Sequence, residues 1–298
     1  MPHSALRRHL LVASIAAPFA RSFRNPAVAA TVTAPNDAVD ARFLALERRY
    51  GGRLGLCART VSGDFRIGYR ADERFPFCST FKLILASAVL AKSARSTGLL
   101  KRRIRYTQRD LVAYSPLSAQ RVATGMTVAA LCAAALQYSD NTAANLLIKM
   151  LGGPGAVTAY ARSIGDTTFR LDRWETALNT AIPGDPRDTS TPAAMTRTAC
   201  ALALGDALPA PQRAQLQAWL RGNTTGDRRI RAGVPASWQV GDKTGTGDRG
   251  TANDVAALWR PSGEPLVLTV FHTREVVDAK PSDDIIAAAA RIVAEILG

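Results

Sequence analysis

The run Leu83-Ile84-Leu85-Ala86-Ser87-Ala88-Val89-Leu90 constrains this chain more than any other stretch, because it is helical in length and carries no polar stripe. A surface helix shows such a stripe, so this one must lie in the middle of a domain. It is entered through Cys78-Ser79-Thr80-Phe81-Lys82, which predicts a buried helix beginning at Ser79. Ser79 and Lys82 are three residues apart, share one helical face and can bring their side-chain ends together, a nucleophile beside a possible base. The hydroxyl also sits at a helix N-terminus, where free backbone N–H groups favour negative charge developing on a substrate oxygen. A Ser-x-x-Lys string is common on solvated helices and decides nothing alone.

The chain has 298 residues, 47% of them hydrophobic, enough for one large or two ordinary domains with a substantial core. Residues 1–29 read as an export signal: Arg7-Arg8 precede the apolar run Leu10 to Ala20, followed by a small-residue site at Ala27-Val28-Ala29. The run is shorter than the roughly 20 residues a spanning helix needs, which favours cleavage over an anchor, so no membrane association is expected afterwards. The paired arginines suit the twin-arginine route. Cleavage would remove four arginines and lower the formal charge from +14 to about +10. The remaining arginines are scattered and not interleaved with aromatics, so a solvated basic surface is expected and nucleic acid is not a predicted partner.

The four cysteines, Cys57, Cys78, Cys132 and Cys200, lack metal-like spacing. Export permits disulfides, and three pairings would be possible, with free buried thiols as the alternative. Only His272 would survive signal removal, inside the apolar run Leu266 to His272, where a core or edge strand is expected. A Ser-His-Asp triad is therefore disfavoured, and serine chemistry here would need Lys or Glu as its base.

Along the mature chain, residues 39–50 give an amphipathic helix ended by Gly51-Gly52, and Leu54 to Val61 with Phe65 to Tyr69 give a hairpin across Ser62-Gly63-Asp64. From Ser79 to about residue 222 the signals are helical: Thr127 before Val128 to Leu136, Asn141 before Leu146-Leu147-Ile148, Pro154 before Ala156 to Ile164, Ser190-Thr191-Pro192, and Pro211 to Leu220. Strands return at Ser237 to Lys243, Thr251 to Trp259 and Pro265 to Thr273, before a closing helix from Ser282 to Leu297. Two early and three late strands predict one five-stranded antiparallel sheet flanked by helices, in an α/β two-domain fold. Residues 30–75 and 223–298 would form the α/β domain, and 76–222 an inserted all-α domain, with a ligand cleft between them. Thr167 to Asp188 is long and without periodicity, the kind of loop that is usually functional.

Two further triplets follow Ser79-x-x-Lys82: Ser139-Asp140-Asn141 between two helices, and Lys243-Thr244-Gly245 at a strand end. Their order and context resemble class A β-lactamases and penicillin-binding proteins, over nearly the whole mature chain. Within the irregular loop, Arg173-Trp174-Glu175-Thr176-Ala177-Leu178-Asn179 resembles the Glu-x-x-Leu-Asn segment of the class A serine β-lactamases, which penicillin-binding enzymes generally lack.

The resemblance implies a role for each residue. Ser79 would attack the lactam carbonyl and form an acyl-enzyme, with Lys82 or Glu175 taking its proton. Ser139 would relay a proton to the departing nitrogen, helped by Lys82 and Lys243, and the N–H groups of Ser79 and Thr246 would hold the oxyanion. Asn141 would bind the substrate amide, and Glu175 with Asn179 would place and deprotonate the deacylating water. Lys243, Thr244, Thr246 and Arg229 would receive the substrate carboxylate, with Gly245 of the same triplet also in the substrate-binding wall; Arg229 stands in for the arginine missing from the strand Gly250-Thr251-Ala252-Asn253-Asp254. Tyr114 would form an aromatic wall of the cleft, or else pack at a helix end. Arg173 and Asp188 would close the loop as a bidentate ion pair. Thr246 and Asp248 resemble features of broad-spectrum members, which adds cephalosporins to penicillins as expected substrates.

There are departures from the family pattern. Thr176 replaces a proline associated with a cis peptide, so either a non-proline cis bond, costing about 3 kcal/mol, or a locally different loop is expected. Cys132 would face Ala86, and Gly247 occupies the place of a partner for Cys78 in some relatives, so no structural disulfide is expected. A metal-independent, cofactor-free monomer is implied. The alternatives are a penicillin-binding D,D-peptidase or a non-hydrolysing β-lactam sensor.

Overall fold

The computed structural model describes residues 37–298; the export segment read at residues 1–29 lies outside the described residues. The described chain enters with α1 (Asp37–Tyr50), then β1 (Arg53–Thr60), β2 (Arg66–Tyr69) and a two-residue strand β3 (Phe75–Pro76). A 3-10 turn, Cys78–Phe81, leads directly into α2 (Lys82–Ser93). Then come β4 (Arg103–Ile104), β5 (Met126–Thr127), α3 (Val128–Gln137), α4 (Asn141–Leu151) and α5 (Pro154–Ser163). After the irregular loop follow β6 (Thr189–Ser190), α6 (Pro192–Ala203) and α7 (Ala210–Arg221). The end comprises α8 (Ile230–Gly233), β7 (Gln239–Thr246), β8 (Ala252–Trp259), β9 (Leu266–Thr273) and α9 (Asp283–Leu297).

Five strands form one antiparallel sheet in the order β2-β1-β9-β8-β7, so the early hairpin and the late strands join through β1 and β9. All eight residues of β9 are buried, because the sheet is covered on both faces. Val267 and Phe271 point into the cluster made with the helical block, whereas Leu266, Leu268 and Val270 pack in a second cluster with residues of α1 and α9. This two-residue alternation is what a strand with two covered faces requires. β9 is the central strand, which places His272 in the core rather than at an edge.

Helix α2 runs through the helical block with Lys82 to Leu90 all buried. Phe77, just before it, stacks on Phe169 with ring centroids 4.9 Å apart, tying its start to the beginning of the irregular loop. Three local details differ from the sequence reading. Ser79 lies on the 3-10 turn and not at the first turn of α2 itself. The N-cap of α4 is Asp140, whose side chain accepts from the Ala143 amide at 2.9 Å, so Asn141 is the first helical residue and keeps its side chain free for other partners. The short pairs β3–β6 and β4–β5 went unread, since two residues cannot express a period. The four cysteines are buried and free, and no helix among the described residues is long and apolar enough to cross a membrane.

Candidate active site

The 3-10 turn explains how Ser79 meets Lys82. In this tighter helix, side chains at i and i+3 eclipse one another, and Lys82 Nζ lies 2.8 Å from Ser79 Oγ. Cys78, immediately before, has a positive φ of 48°, a conformation that non-glycine residues keep chiefly where surroundings enforce it. The strand carrying Lys243-Thr244-Gly245 presses on this turn. A Cβ at Gly245 would come within 2.6 Å of the Phe77 carbonyl oxygen, so only glycine permits the approach.

Lys82 is fully buried, and besides Ser79 its amine reaches the Ser139 carbonyl at 2.9 Å, Asn141 Oδ1 at 2.6 Å and Glu175 Oε1 at 2.9 Å. An ammonium has three N–H donors, and four acceptors stand within 3 Å. Burial lowers the Lys82 pKa, opposed by the Glu175 charge and hydrogen bond. Ser79 Oγ in turn donates to Glu175 Oε1 at 3.1 Å. The hydroxyl thus lies between an amine that burial biases toward neutrality and a carboxylate, and either can receive its proton.

Glu175 arrives from the irregular loop and is held by two asparagines. Asn179 Nδ2 donates to Glu175 Oε2 at 2.6 Å. Asn145 on α4 clamps the Glu175 backbone, accepting from its N–H at 3.0 Å and donating to its C=O at 2.8 Å. The Glu175–Thr176 peptide is cis. Arg173 and Asp188 pair across the loop, but not in the bidentate form expected: Arg173 Nε donates to Asp188 Oδ2 at 2.5 Å while its Nη1 donates to Thr180 Oγ1 at 3.0 Å, and Asp188 Oδ1 accepts the amides of Asp172 and Arg173.

From the other wall, Lys243 Nζ donates to Ser139 Oγ at 3.1 Å and to the Thr244 carbonyl at 2.7 Å. Ser139, with φ 55°, therefore has an amine on each side, Lys82 being 3.4 Å away. Burial, together with the nearby Lys82 charge, holds the Lys243 pKa well below that of an ordinary lysine. Thr244 Oγ1 meets Thr225 Oγ1 at 2.5 Å, while Thr246 is exposed at the strand end.

Arg229 is more committed than its sequence suggested. Its Nε donates to Asp283 Oδ1 at 2.7 Å and its Nη1 to the carbonyls of Gly245 and Asn253, leaving Nη2 to reach Thr246 Oγ1 at 2.7 Å. It thus meets the pocket through Thr246. Tyr114 is 62% exposed, and the fixed contact here is its carbonyl, which accepts from the Asn141 amide at 3.0 Å.

Ser79, Lys82, Ser139, Asn141, Glu175, Asn179 and Lys243 are linked in one hydrogen-bonded network, and Thr244, Gly245, Thr246 and Arg229 line or back its strand wall. The sequence reading missed Asn145, although it lies four residues from Asn141 on one helical face. It also missed the buried carboxylates Asp242 and Asp254, whose pKa values burial raises; Asp242 faces Arg231, and Asp254 accepts from the Ile230 amide. Among the described residues, no group of three or more His, Cys, Asp or Glu side chains is arranged to hold a metal.

Comparison with known proteins agrees with this geometry. The family described as the β-lactamase enzyme family matches residues 38–297. A carbapenem-hydrolysing β-lactamase KPC of Klebsiella oxytoca is 55% identical over 92% of this chain and 94% of that protein. β-Lactamase CTX-M-97 of Escherichia coli is 54% identical over 89% and 91% respectively. The crystal structure of a β-lactamase from Desulfarculus baarsii superposes with a TM-score of 0.86 at 58% identity, covering 88% of this chain and 98% of that one. A serine, lysine and glutamate meeting in one buried network, on a fold and sequence shared with these enzymes, place the chain in the class A serine β-lactamases, which hydrolyse β-lactams.

Proposed function

We propose that the protein opens penicillins and cephalosporins through a Ser79 acyl-enzyme that Glu175 hydrolyses. In acylation Ser79 Oγ attacks the lactam carbonyl carbon, and its proton passes to neutral Lys82 or to Glu175. The negative charge on the carbonyl oxygen is held by the N–H groups of Ser79 and Thr246. As the C–N bond breaks, Ser139 delivers a proton to the leaving nitrogen, and the lysines on either side resupply it. In deacylation Glu175 takes a proton from a water oriented with Asn179; the hydroxide oxygen attacks the acyl carbon, the ester bond breaks and Ser79 Oγ regains a proton. Asn141 binds the substrate amide, Lys243, Thr244 and Thr246 receive its carboxylate with Arg229 behind them, Gly245 lines the same wall, and Tyr114 forms the outer wall.

The observation that carries this reading is Glu175 Oε1 lying 3.1 Å from Ser79 Oγ, with its second oxygen held by Asn179. A carboxylate there serves the step that separates turnover from simple acylation. The chain is further read as a monomer exported through residues 1–29, with an α/β domain at 30–75 and 223–298 and a helical domain at 76–222. The test follows penicillin ring opening and intact mass together. The parent should turn over many equivalents, whereas Glu175→Ala should accumulate a persistent adduct on Ser79. A parent that stops after one equivalent would reverse the proposal.

A further inference from the structure

Away from the catalytic network, the helical block carries a groove of about 370 Å³ between the β4–β5 pair, residues 117–124 and α3. Its lining is mainly apolar, including Leu117, Met126, Ala130 and Ala134, and it also includes Arg103 and Arg121. That volume is at the lower end of what small-molecule sites offer.

The two arginines of this groove carry charge that no neighbouring carboxylate among the described residues neutralises. Eight arginines, among them Arg53, Arg70, Arg173 and Arg229, form ion pairs. Arg103, Arg105 and Arg121 are exposed, and none forms an ion pair with a described residue. Arg103 and Arg105 are steadied by the carbonyls of Gly125 and Ala123, at 2.9 and 3.2 Å. Arg103, so placed, lines the apolar trough without an anionic partner among the described residues.

We propose that this groove binds a free amphiphilic anion of medium chain length, its alkyl part along Leu117, Met126, Ala130 and Ala134 and its acidic head between Arg103 and Arg121. The trough removes methylenes from water, and a carboxylate suits the fork geometry of guanidinium. A volume of about 370 Å³ holds one such molecule and offers no extended surface to a bilayer. Two of its lining residues, Ala134 and Leu117, are hydrogen-bonded to the corner between α3 and α4. The Ala134 carbonyl accepts the amides of Tyr138 and Asp140, and the Leu117 amide donates to Asp140 Oδ2 at 3.0 Å.

Isothermal titration of the mature protein with hexanoate, octanoate and decanoate tests this. Saturable one-to-one binding should strengthen about two- to fourfold per added methylene. 1-Octanol should bind at least about tenfold more weakly than octanoate, because it lacks the charged head. Arg121→Gln, at a side chain that makes no hydrogen bond with a described residue, should weaken octanoate binding by a similar factor, and Ala130→Leu should fill the trough and abolish it. Unchanged β-lactam hydrolysis by both variants would confirm that they fold. Absence of saturable binding across the series, equal affinity for octanoate and octanol, insensitivity to both substitutions, or binding only to vesicles containing phosphatidylglycerol would each overturn the proposal.

Discussion

At the scale of single residues, Asn145 is the group whose removal separates the two halves of the reaction most cleanly. Its amide makes both backbone hydrogen bonds to Glu175 and none to Ser79, Lys82 or Ser139. Asn145→Ala should therefore leave acylation near its parent rate while misplacing the carboxylate, and a displacement of about 1 Å can cost up to about 100-fold. Stopped-flow kinetics should show a preserved burst followed by steady-state turnover slowed about 10- to 100-fold; equal losses in both phases would mean that Asn145 serves the whole cleft. Asn145 also shows where residue-level legibility ended. Ser79, Lys82, Ser139 and Lys243 could be read because their triplets keep a fixed local spacing. Asn145 binds the loop through backbone atoms, which any residue type at 175 would supply, so nothing in the sequence around Glu175 pointed back to it. Arg229 was found, but its role was displaced: its donors are taken up by Asp283 and two carbonyls, and Thr246 is what it offers to the pocket.

At the scale of elements, the loop carrying Glu175 is tied together at its two ends by Asp188. Asp188 is fully buried and accepts from the amides of Asp172 and Arg173 and from the Arg173 guanidinium, while its own carbonyl accepts from the Phe77 amide beside the nucleophile turn. Removing the carboxylate would strand the Arg173 charge and two amides together. Asp188→Ala should thus cost about 3–5 kcal/mol in urea denaturation, with Asp188→Asn losing less because it keeps an acceptor for the amides. Both should slow deacylation more than acylation; Asp188→Ala at parent stability would show that the loop is held by its packing alone. Sequence disclosed this loop by its missing period, and the main strands and helices by having one. The β3–β6 pair that ties the loop's exit to the strand before the nucleophile was illegible for the same reason: two residues have no periodicity, and their pairing is set by tertiary contact. The 3-10 start of α2 was hidden likewise, because the same apolar run suits either helix type.

At the scale of the whole molecule, the catalytic network draws on a turn near residue 79, the α3–α4 corner, the irregular loop and a strand near the C-terminal end, and the sheet is what brings first and last together. Because β1 lies against β9, the early and late segments share one interior, and His272 is buried at their junction. It is fully buried in β9, its Nε2 is 2.7 Å from the Gly51 carbonyl that ends α1, and its Nδ1 has no hydrogen-bond partner among the described residues. Since a carbonyl can only accept, Nε2 carries the proton of that bond. Burial lowers its pKa, the backbone bond to Gly51 opposes that, and Arg274 adds to the lowering while Glu47 resists it. The unfolded chain then binds more protons than the folded one between the lowered pKa and about 6.5. The stability that neutral His272 contributes is fully present above about pH 6.5 and is lost as pH falls through that window, at no more than about 1.4 kcal/mol per pH unit. His272→Gln retains a donor for Gly51 and cannot titrate. Denaturation midpoints measured from pH 7.5 to 5 should therefore fall more steeply for the parent than for the variant, and parallel curves would show that the seam between the first and last strands holds a charged imidazole without cost.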